Sequence, residues 1–245
     1  MKINPSIENS HTLLALHEGE LSLEGQFTSS SNATFLVRVH YHEREYLAVY
    51  KPQKGENQLW DFPVGTLCKR EVAAFVLSEY LRWNLVPPTV FRMKGPFGRG
   101  SLQLFVDNDP NRHYFSFDRA TRMRLRPVVL FDLLINNADR KGSHILLDDD
   151  DHLWLIDHGI CFHQEYKLRS VVWDFKGQPI PQRWLKDVRR LNNDLESRTD
   201  IHHELQSYLT LAEIQALNYR AKALQQLKTF PYPDEKRRAI PWPPL

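Results

Sequence analysis

Asn136-Asn137-Ala138-Asp139-Arg140-Lys141-Gly142-Ser143-His144-Ile145-Leu146-Leu147 runs through Asp148-Asp149-Asp150-Asp151 into Leu153-Trp154-Leu155-Ile156-Asp157-His158-Gly159. Two short apolar runs on either side of four aspartates read as a β-hairpin with a solvated acidic tip. Asp139 stands before the first strand and Asp157 ends the second, so a hairpin of this length returns both carboxylates to one end. Such a pair suits phosphoryl transfer: one carboxylate orients or accepts the proton of an attacking hydroxyl, and the other holds a magnesium ion that bridges the phosphates. The plainer reading is two unrelated surface aspartates beside an ordinary hairpin, and the rest of the chain bears on that choice.

Asp139-Arg140-Lys141 followed by Ile156-Asp157-His158-Gly159 resembles the catalytic loop and metal-binding motif of the phosphatidylinositol 3-/4-kinase superfamily, nearest to its type II 4-kinases. Those kinases read Asp-Arg-x-x-x-Asn and then Ile-Asp-x-Gly. Both aspartates, the arginine and the glycine match. The chain differs at His144, where the family has a metal-binding asparagine, and at His158, where Phe or Asn is usual. The resemblance implies ATP with Mg2+ or Mn2+ as cofactors, Asp139 and Arg140 in the catalytic loop, and Asp157 and His144 on the metal. An imidazole ligand must be neutral and suits manganese better than magnesium. His144 therefore predicts metal-nucleotide binding that weakens as the pH falls through about 6.5 and that favours manganese.

A chain of 245 residues with 42% hydrophobic residues can bury a substantial core, as one large domain or two lobes. Its net charge of +2 is too small to imply a nucleic-acid or membrane partner. Two cysteines, Cys68 and Cys161, make neither a disulfide framework nor a thiolate zinc site, so a reduced cytoplasmic location is expected. The first residues lack the apolar core of a signal peptide, and no run approaches the roughly 18 apolar residues of a membrane span. Nor is there a cysteine-rich segment for acyl anchoring, or a strong basic amphipathic helix, so no stable membrane anchor is expected.

From the start of the chain, Leu13 to Leu16 is a short apolar segment and Gly19 to Phe27 alternates as a strand. The polar turn Thr28-Ser29-Ser30-Ser31-Asn32 leads to a second strand, Thr34 to Tyr41. In a kinase-like chain that turn is the place for a phosphate-covering loop, with Ser30 and Ser31 offering hydroxyl and backbone donors; a merely solvated tip reads equally well. Tyr46 to Pro52 is a strand that delivers Lys51, which the resemblance puts on the ATP phosphates, although a strand-end lysine also snorkels to solvent. Thr66 reads as the N-cap of a helix with Ala73, Val76, Leu77, Tyr80 and Leu81 on one face. Glu71, off that stripe, would pair with Lys51 as a kinase helix glutamate does, or simply suit the helix dipole.

Thr89 to Met93 and Ser101 to Asp107 form a second hairpin. Its return strand resembles the segment before the interlobe hinge of type II 4-kinases, so Phe105 and Val106 would read the adenine edge through their backbones. Residues 125–135 are apolar almost all round, as in a helix buried at the centre of a lobe. The basic, aromatic stretch 162–181 lies where kinases carry the activation or substrate segment, and its cations could hold an anionic substrate, although a solvated charged loop reads at least as well. Thr210-Leu211-Ala212-Glu213 is a capping box before a last helix. The proline-rich end, Phe230 to Leu245, either packs along the large lobe or offers a polyproline ligand to a protein partner.

The expected architecture is α+β, a two-lobed protein-kinase-like fold with a β-rich small lobe at 1–107 and a mainly helical large lobe at 108–245. The expected activity is transfer of the ATP γ-phosphate to an alcohol acceptor, whether lipid, protein or small molecule. A nucleotide-binding pseudokinase scaffold and a kinase-fold enzyme of another ATP-dependent transfer, such as adenylylation, are the alternatives. A zinc hydrolase built on His144, Asp157, His158 and His163 lacks a recognised ligand spacing.

Overall fold

The computed structural model describes residues 5–28 and 31–245, and the class is α+β. Helix α1 (Pro5–Glu18) comes first, where the sequence showed only a short apolar segment; among its described side chains, Thr12, Ala15 and Leu16 are buried. Gly19 ends it because a Cβ there would lie 2.5 Å from Val39 Cγ1 and 2.7 Å from the Ala15 carbonyl oxygen. Strands β1 (Glu20–Gln26), β2 (Phe35–Tyr41) and β3 (Arg44–Pro52) follow, then β4 (Thr89–Arg92) and β5 (Gly100–Leu104). They make one antiparallel sheet in the order β1-β2-β3-β5-β4.

Strand alternation sorts the two faces of this sheet. Val37, Val39, Ala48, Tyr50, Val90 and Leu102 pack with Leu16 of α1 into a small core. Lys51 and Val49, out of phase with Ala48 and Tyr50, belong to the opposite face, where they pair with Ser101 and Gln103 of β5.

Helix α2 (Leu67–Leu81) is buried nearly all round rather than along a single stripe. The Thr66 hydroxyl does not cap it but donates to the Pro63 carbonyl at 2.7 Å. The Glu56 carboxylate does so from the preceding loop, accepting from the amides of Leu67 at 3.1 Å and Cys68 at 2.8 Å. Beyond the sheet come α3 (Arg119–Met123) and α4 (Arg126–Ile135), the latter buried on most of its surface as expected. Strands β6 (Ile145–Leu147) and β7 (Leu153–Leu155) form the hairpin read from the sequence, pairing Ile145 with Leu155. Helices α5 (Gln182–Glu196), α6 (Asp200–Gln206) and α7 (Leu211–Gln226) complete the order, α7 starting at the Thr210–Glu213 capping box.

A second, larger core runs through α2, α4, the β6–β7 hairpin and α5 to α7, and takes in Phe230. The proline-rich end lies along this part of the molecule. Pro244 accepts from the Gly142 amide at 2.8 Å and Ala239 from the Ser170 amide at 3.0 Å.

Candidate active site

The loop between α4 and β6 is shaped from beneath by Asp132, the lone carboxylate of helix α4. It accepts from Arg140 Nε at 3.1 and 3.2 Å, from Arg140 Nη2 at 3.0 Å, from Asn137 Nδ2 at 3.1 Å and from Ser170 Oγ at 3.2 Å. Arg140 Nη1 donates to the carbonyls of Ile156 at 2.9 Å and His144 at 3.3 Å, tying the loop to the end of β7. The Arg140 side chain is 0% exposed. Expected among the reacting groups, it is instead turned into the interior, where a fixed cation surrounded by carbonyls and a carboxylate holds the loop and touches no solvent-borne substrate.

Asp139, its neighbour, reaches the surface side. Its amide is bonded to Asn137 Oδ1 at 2.9 Å and its carboxylate lies 3.7 Å from Lys141 Nζ. Burial pushes its pKa up; Lys141 opposes the rise and the negative charge of Asp157 adds to it, leaving the group at about 6.

Lys51 joins three elements. Its ammonium donates to Glu71 Oε1 on α2 and to Asp157 Oδ1 at 2.9 Å. Burial alone would lower the lysine pKa, but Asp157 and Glu71 outweigh it and hold the ammonium charged. Glu71 is only 3% exposed and also accepts from the His158 amide at 2.8 Å. Asp157 has a left-handed backbone, φ 60°, which turns its carboxylate outward after β7. Burial works against its ionisation, yet Lys51 foremost keeps its pKa well below the usual carboxylate range.

His144 Nε2 lies 3.4 Å from Asp157 Oδ2, while its Nδ1 lies 3.0 Å from the Asp139 carbonyl. The Lys141 amide also points at Nδ1, at 3.4 Å, but the Asp139 carbonyl is nearer; with Nδ1 donating to that carbonyl, the Nε2 lone pair faces the same space as the Asp157 carboxylate, which is 49% exposed. An anionic oxygen and an imidazole nitrogen converging at a half-open position fit a divalent cation whose other ligands come from phosphate oxygens and water. The expected pH dependence is corrected here. Burial, with Arg140, Lys51 and Lys141 adding to it, lowers the His144 pKa to about 4 against the pull of Asp157, so protonation does not compete near pH 6.5.

Lys51, Glu71, Asp157 and His144 thus lie together, with Asp139 near enough to feel Asp157. Phe105 and Val106 stand apart from them, just past the end of β5, both half-buried; the Phe105 amide donates to the Leu47 carbonyl at 2.9 Å. Ser30 lies outside the described residues. Ser31 is exposed, and its carbonyl accepts from the Asn57 side chain, which ties the turn to the loop after β3. The four side chains of the zinc alternative do not converge: His158 is buried against Arg140, and His163 Nε2 is paired with the Asp61 carbonyl at 2.8 Å. Among the described residues no group of three or more His, Cys, Asp or Glu side chains is placed to hold a metal. Sequence reasoning missed Asp132 and Glu56. The signal for Asp132 was a single carboxylate in a helix apolar almost all round.

Residues 53–216 match the family model for phosphatidylinositol 3- and 4-kinase. Protein Rv2133c of Mycobacterium tuberculosis is 39% identical over 96% of this chain and 95% of its own length. Phosphatidylinositol 4-kinase gamma 4 of rice (Oryza sativa subsp. japonica) is 34% identical over 45% of this chain, which spans only 23% of that protein. Among solved structures, the Golgi casein kinase with Mn/ADP bound superposes with a TM-score of 0.62 at 14% identity, covering 90% of this chain and 75% of that one.

Proposed function

The chain belongs to the phosphatidylinositol 3- and 4-kinase family and has a two-lobed kinase-like fold, and from that premise we propose that it transfers the γ-phosphate of ATP to an alcohol. Family and fold support an ATP-dependent phosphotransferase. The observation that carries the finer reading is the Lys51 ammonium held between Glu71 and Asp157. Lys51 would meet the nucleotide phosphates, and Asp157 with His144 would hold the metal, Mg2+ or Mn2+. A cation held there would supply positive charge against the phosphates. Asp139 takes the acceptor's hydroxyl proton as the new O–P bond forms and the bond from the γ-phosphorus to the bridging oxygen of ADP breaks. Phe105 and Val106 stand four to five residues beyond Ser101, the register partner of Lys51. At about 3.3 Å per residue this is roughly 13–17 Å, the length over which an adenine and its phosphates extend. We place the lobe boundary near residue 107 and the location in the cytoplasm, where the free, buried Cys68 and Cys161 would stay reduced. Among the described residues no helix is long and apolar enough to cross a membrane.

The test is incubation of the pure protein with α- and γ-labelled ATP, with Mg2+ or Mn2+, against lipid, protein and small-molecule alcohol pools. γ-Label in an acceptor supports the kinase, and α-label would replace it with adenylylation. The pseudokinase reading is favoured by His144 at the position of the family's asparagine, and tight nucleotide binding without transfer would establish it. Lys51→Met and Asp157→Ala should weaken metal-ATP binding, whereas Asp139→Ala should leave binding nearly intact and abolish turnover. Metal-ATP binding by Asp157→Ala equal to that of the wild type would remove Asp157 from the metal.

A further inference from the structure

The side chain of His158 is fully buried beside Asp157, and the transfer proposed above gives it no part. Its Nε2 lies 2.9 Å from Arg140 Nη2. A guanidinium only donates, so Nε2 accepts and the ring proton resides on Nδ1. That Nδ1–H has no hydrogen-bond partner among the described residues. It faces Glu71 Oε2 at 3.9 Å, beyond hydrogen-bonding range, while the main-chain amide of the same residue already donates to that oxygen at 2.8 Å. Phe131 stands edge-on to the imidazole, centroids 6.0 Å apart at 87°. The ring is therefore held in place with one nitrogen bonded and the other aimed at a buried carboxylate.

A buried donor left unpaired is costly, and an advance of α2 by about 1 Å would satisfy it. The same advance suits Glu71, whose other donor, Lys51, is divided between two carboxylates. We propose that His158 is a positioning residue that links the buried Asp132–Arg140 pair to Glu71, closing its Nδ1–H onto that carboxylate when nucleotide draws Lys51 toward phosphate. The inference rests on the ATP-dependent reading above. It makes the imidazole a two-sided spacer: Nε2 reads the catalytic loop through Arg140, and Nδ1 reads α2 through Glu71.

Two substitutions separate the two sides. Glutamine can place its carbonyl near the Nε2 position and keep the acceptor for Arg140 but lacks the Nδ1 donor; asparagine can place its amide near Nδ1 and lacks the Nε2 acceptor. Thermal unfolding and calorimetric titration with metal-ATP of the full chain should give opposite orders. His158→Gln should melt near the wild type and bind metal-ATP about tenfold more weakly, the loss expected for one buried hydrogen bond to a charged group. His158→Asn should melt lower yet lose only about threefold in affinity. A purely structural histidine would give affinities that follow the melting order, and that result, or unchanged affinity in both variants, would overturn the proposal. A double-mutant cycle of His158→Gln with Glu71→Gln, read by urea unfolding of the full chain with and without saturating metal-ATP, serves if an asparagine variant does not fold. A coupling at least about threefold larger with metal-ATP than without it is expected, and equal coupling in the two conditions would overturn the proposal. If the wild type bound no metal-ATP, the proposed function would fall and the proposal with it, whereas wild-type binding with equal coupling in the two conditions would overturn the proposal alone.

Discussion

Burial, with the nearby cations Arg140, Lys51 and Lys141 adding to it, lowers the His144 pKa to about 4 against the pull of Asp157. Its lowered pKa makes neutrality, and with it the capacity to ligate, independent of pH above about 5. The change in metal-ATP affinity between pH 6 and pH 8, to which Asp139 and the phosphates themselves contribute, should therefore be the same in wild type and in His144→Asn, while the asparagine variant should shift the preference from manganese toward magnesium. Calorimetric titration with each metal at the two pH values checks this, and a wild-type affinity that drops at pH 6 and is flattened by asparagine would show the imidazole titrating. Asp139 behaves in the opposite sense. Its pKa is raised to about 6, and a general base works only when ionised, so kcat/KM should rise with pH and level off above about 6. Because the charge of Asp157 contributes to that rise, a cation held there should move the kcat limb to lower pH. Asp139→Asn should reduce kcat by about 10²–10⁴-fold. A wild-type kcat/KM that is flat from pH 5 to 8 would take Asp139 out of the proton transfer.

Helix α2 delivers Glu71, and its start is fixed from a distance by Glu56 rather than by its own Thr66. Glu56→Ala should remove both bonds to the first turn and cost about 1–2 kcal/mol, lowering Tm by roughly 2–8 °C. Thr66→Ala, which loses one hydroxyl bond to a neighbouring carbonyl, should cost less, and an equal or larger fall in Tm for Thr66→Ala in parallel melts would return the cap to Thr66. The contrast explains what could be read in the chain. The β6–β7 hairpin, α4 and the strand ending at Lys51 are written in local alternation or in an unbroken apolar run, so their existence and type were legible. The capping of α2, the inward turn of Arg140 and the role of Asp132 depend on partners 8 to 12 positions away or on another element, and no local period carries them. Helix α1 was missed because its first half, Pro-Ser-Ile-Glu-Asn-Ser-His, has no apolar repeat, and tertiary packing on β2 and β4 supplies what propensity does not. The proximity of Lys51, Glu71 and Asp157 was foreseeable only by likeness to kinases, since residues 20 and 106 positions from Lys51 meet through the fold alone.

At the scale of the whole molecule, two cores meet along α2: the sheet packs on α1 in one, while α2 contributes its side chains to the other. The loop that carries Asp139 is consequently braced by the large core from below, by residues 169–171 alongside it, and by the proline-rich end on the outside. That last brace is narrow. Arg140 pairs with Ser170, Ser170 donates to Ala239, and Gly142 donates to Pro244, so two backbone bonds seat residues 239–244 within three positions of Asp139. Gly142 makes the close approach: a Cβ there would stand 2.8 Å from the Phe115 ring and 3.5 Å from Leu245 Cδ1. Gly142→Ala should therefore push only Phe115, which is 45% exposed and can swing outward, and leave Leu245 in ordinary contact. A longer side chain, Gly142→Leu, should reach Leu245 and unseat the end of the chain at a cost of about 1–3 kcal/mol. Trypsin reports the change directly, because Arg237 and Arg238 lie just before the seated residues. Cleavage after Arg238 should be several-fold faster in Gly142→Leu than in wild type or Gly142→Ala, with the remainder of the chain intact. Equal cleavage rates in wild type and Gly142→Leu would mean that the contact at Gly142 does not hold the tail against the loop that carries Asp139.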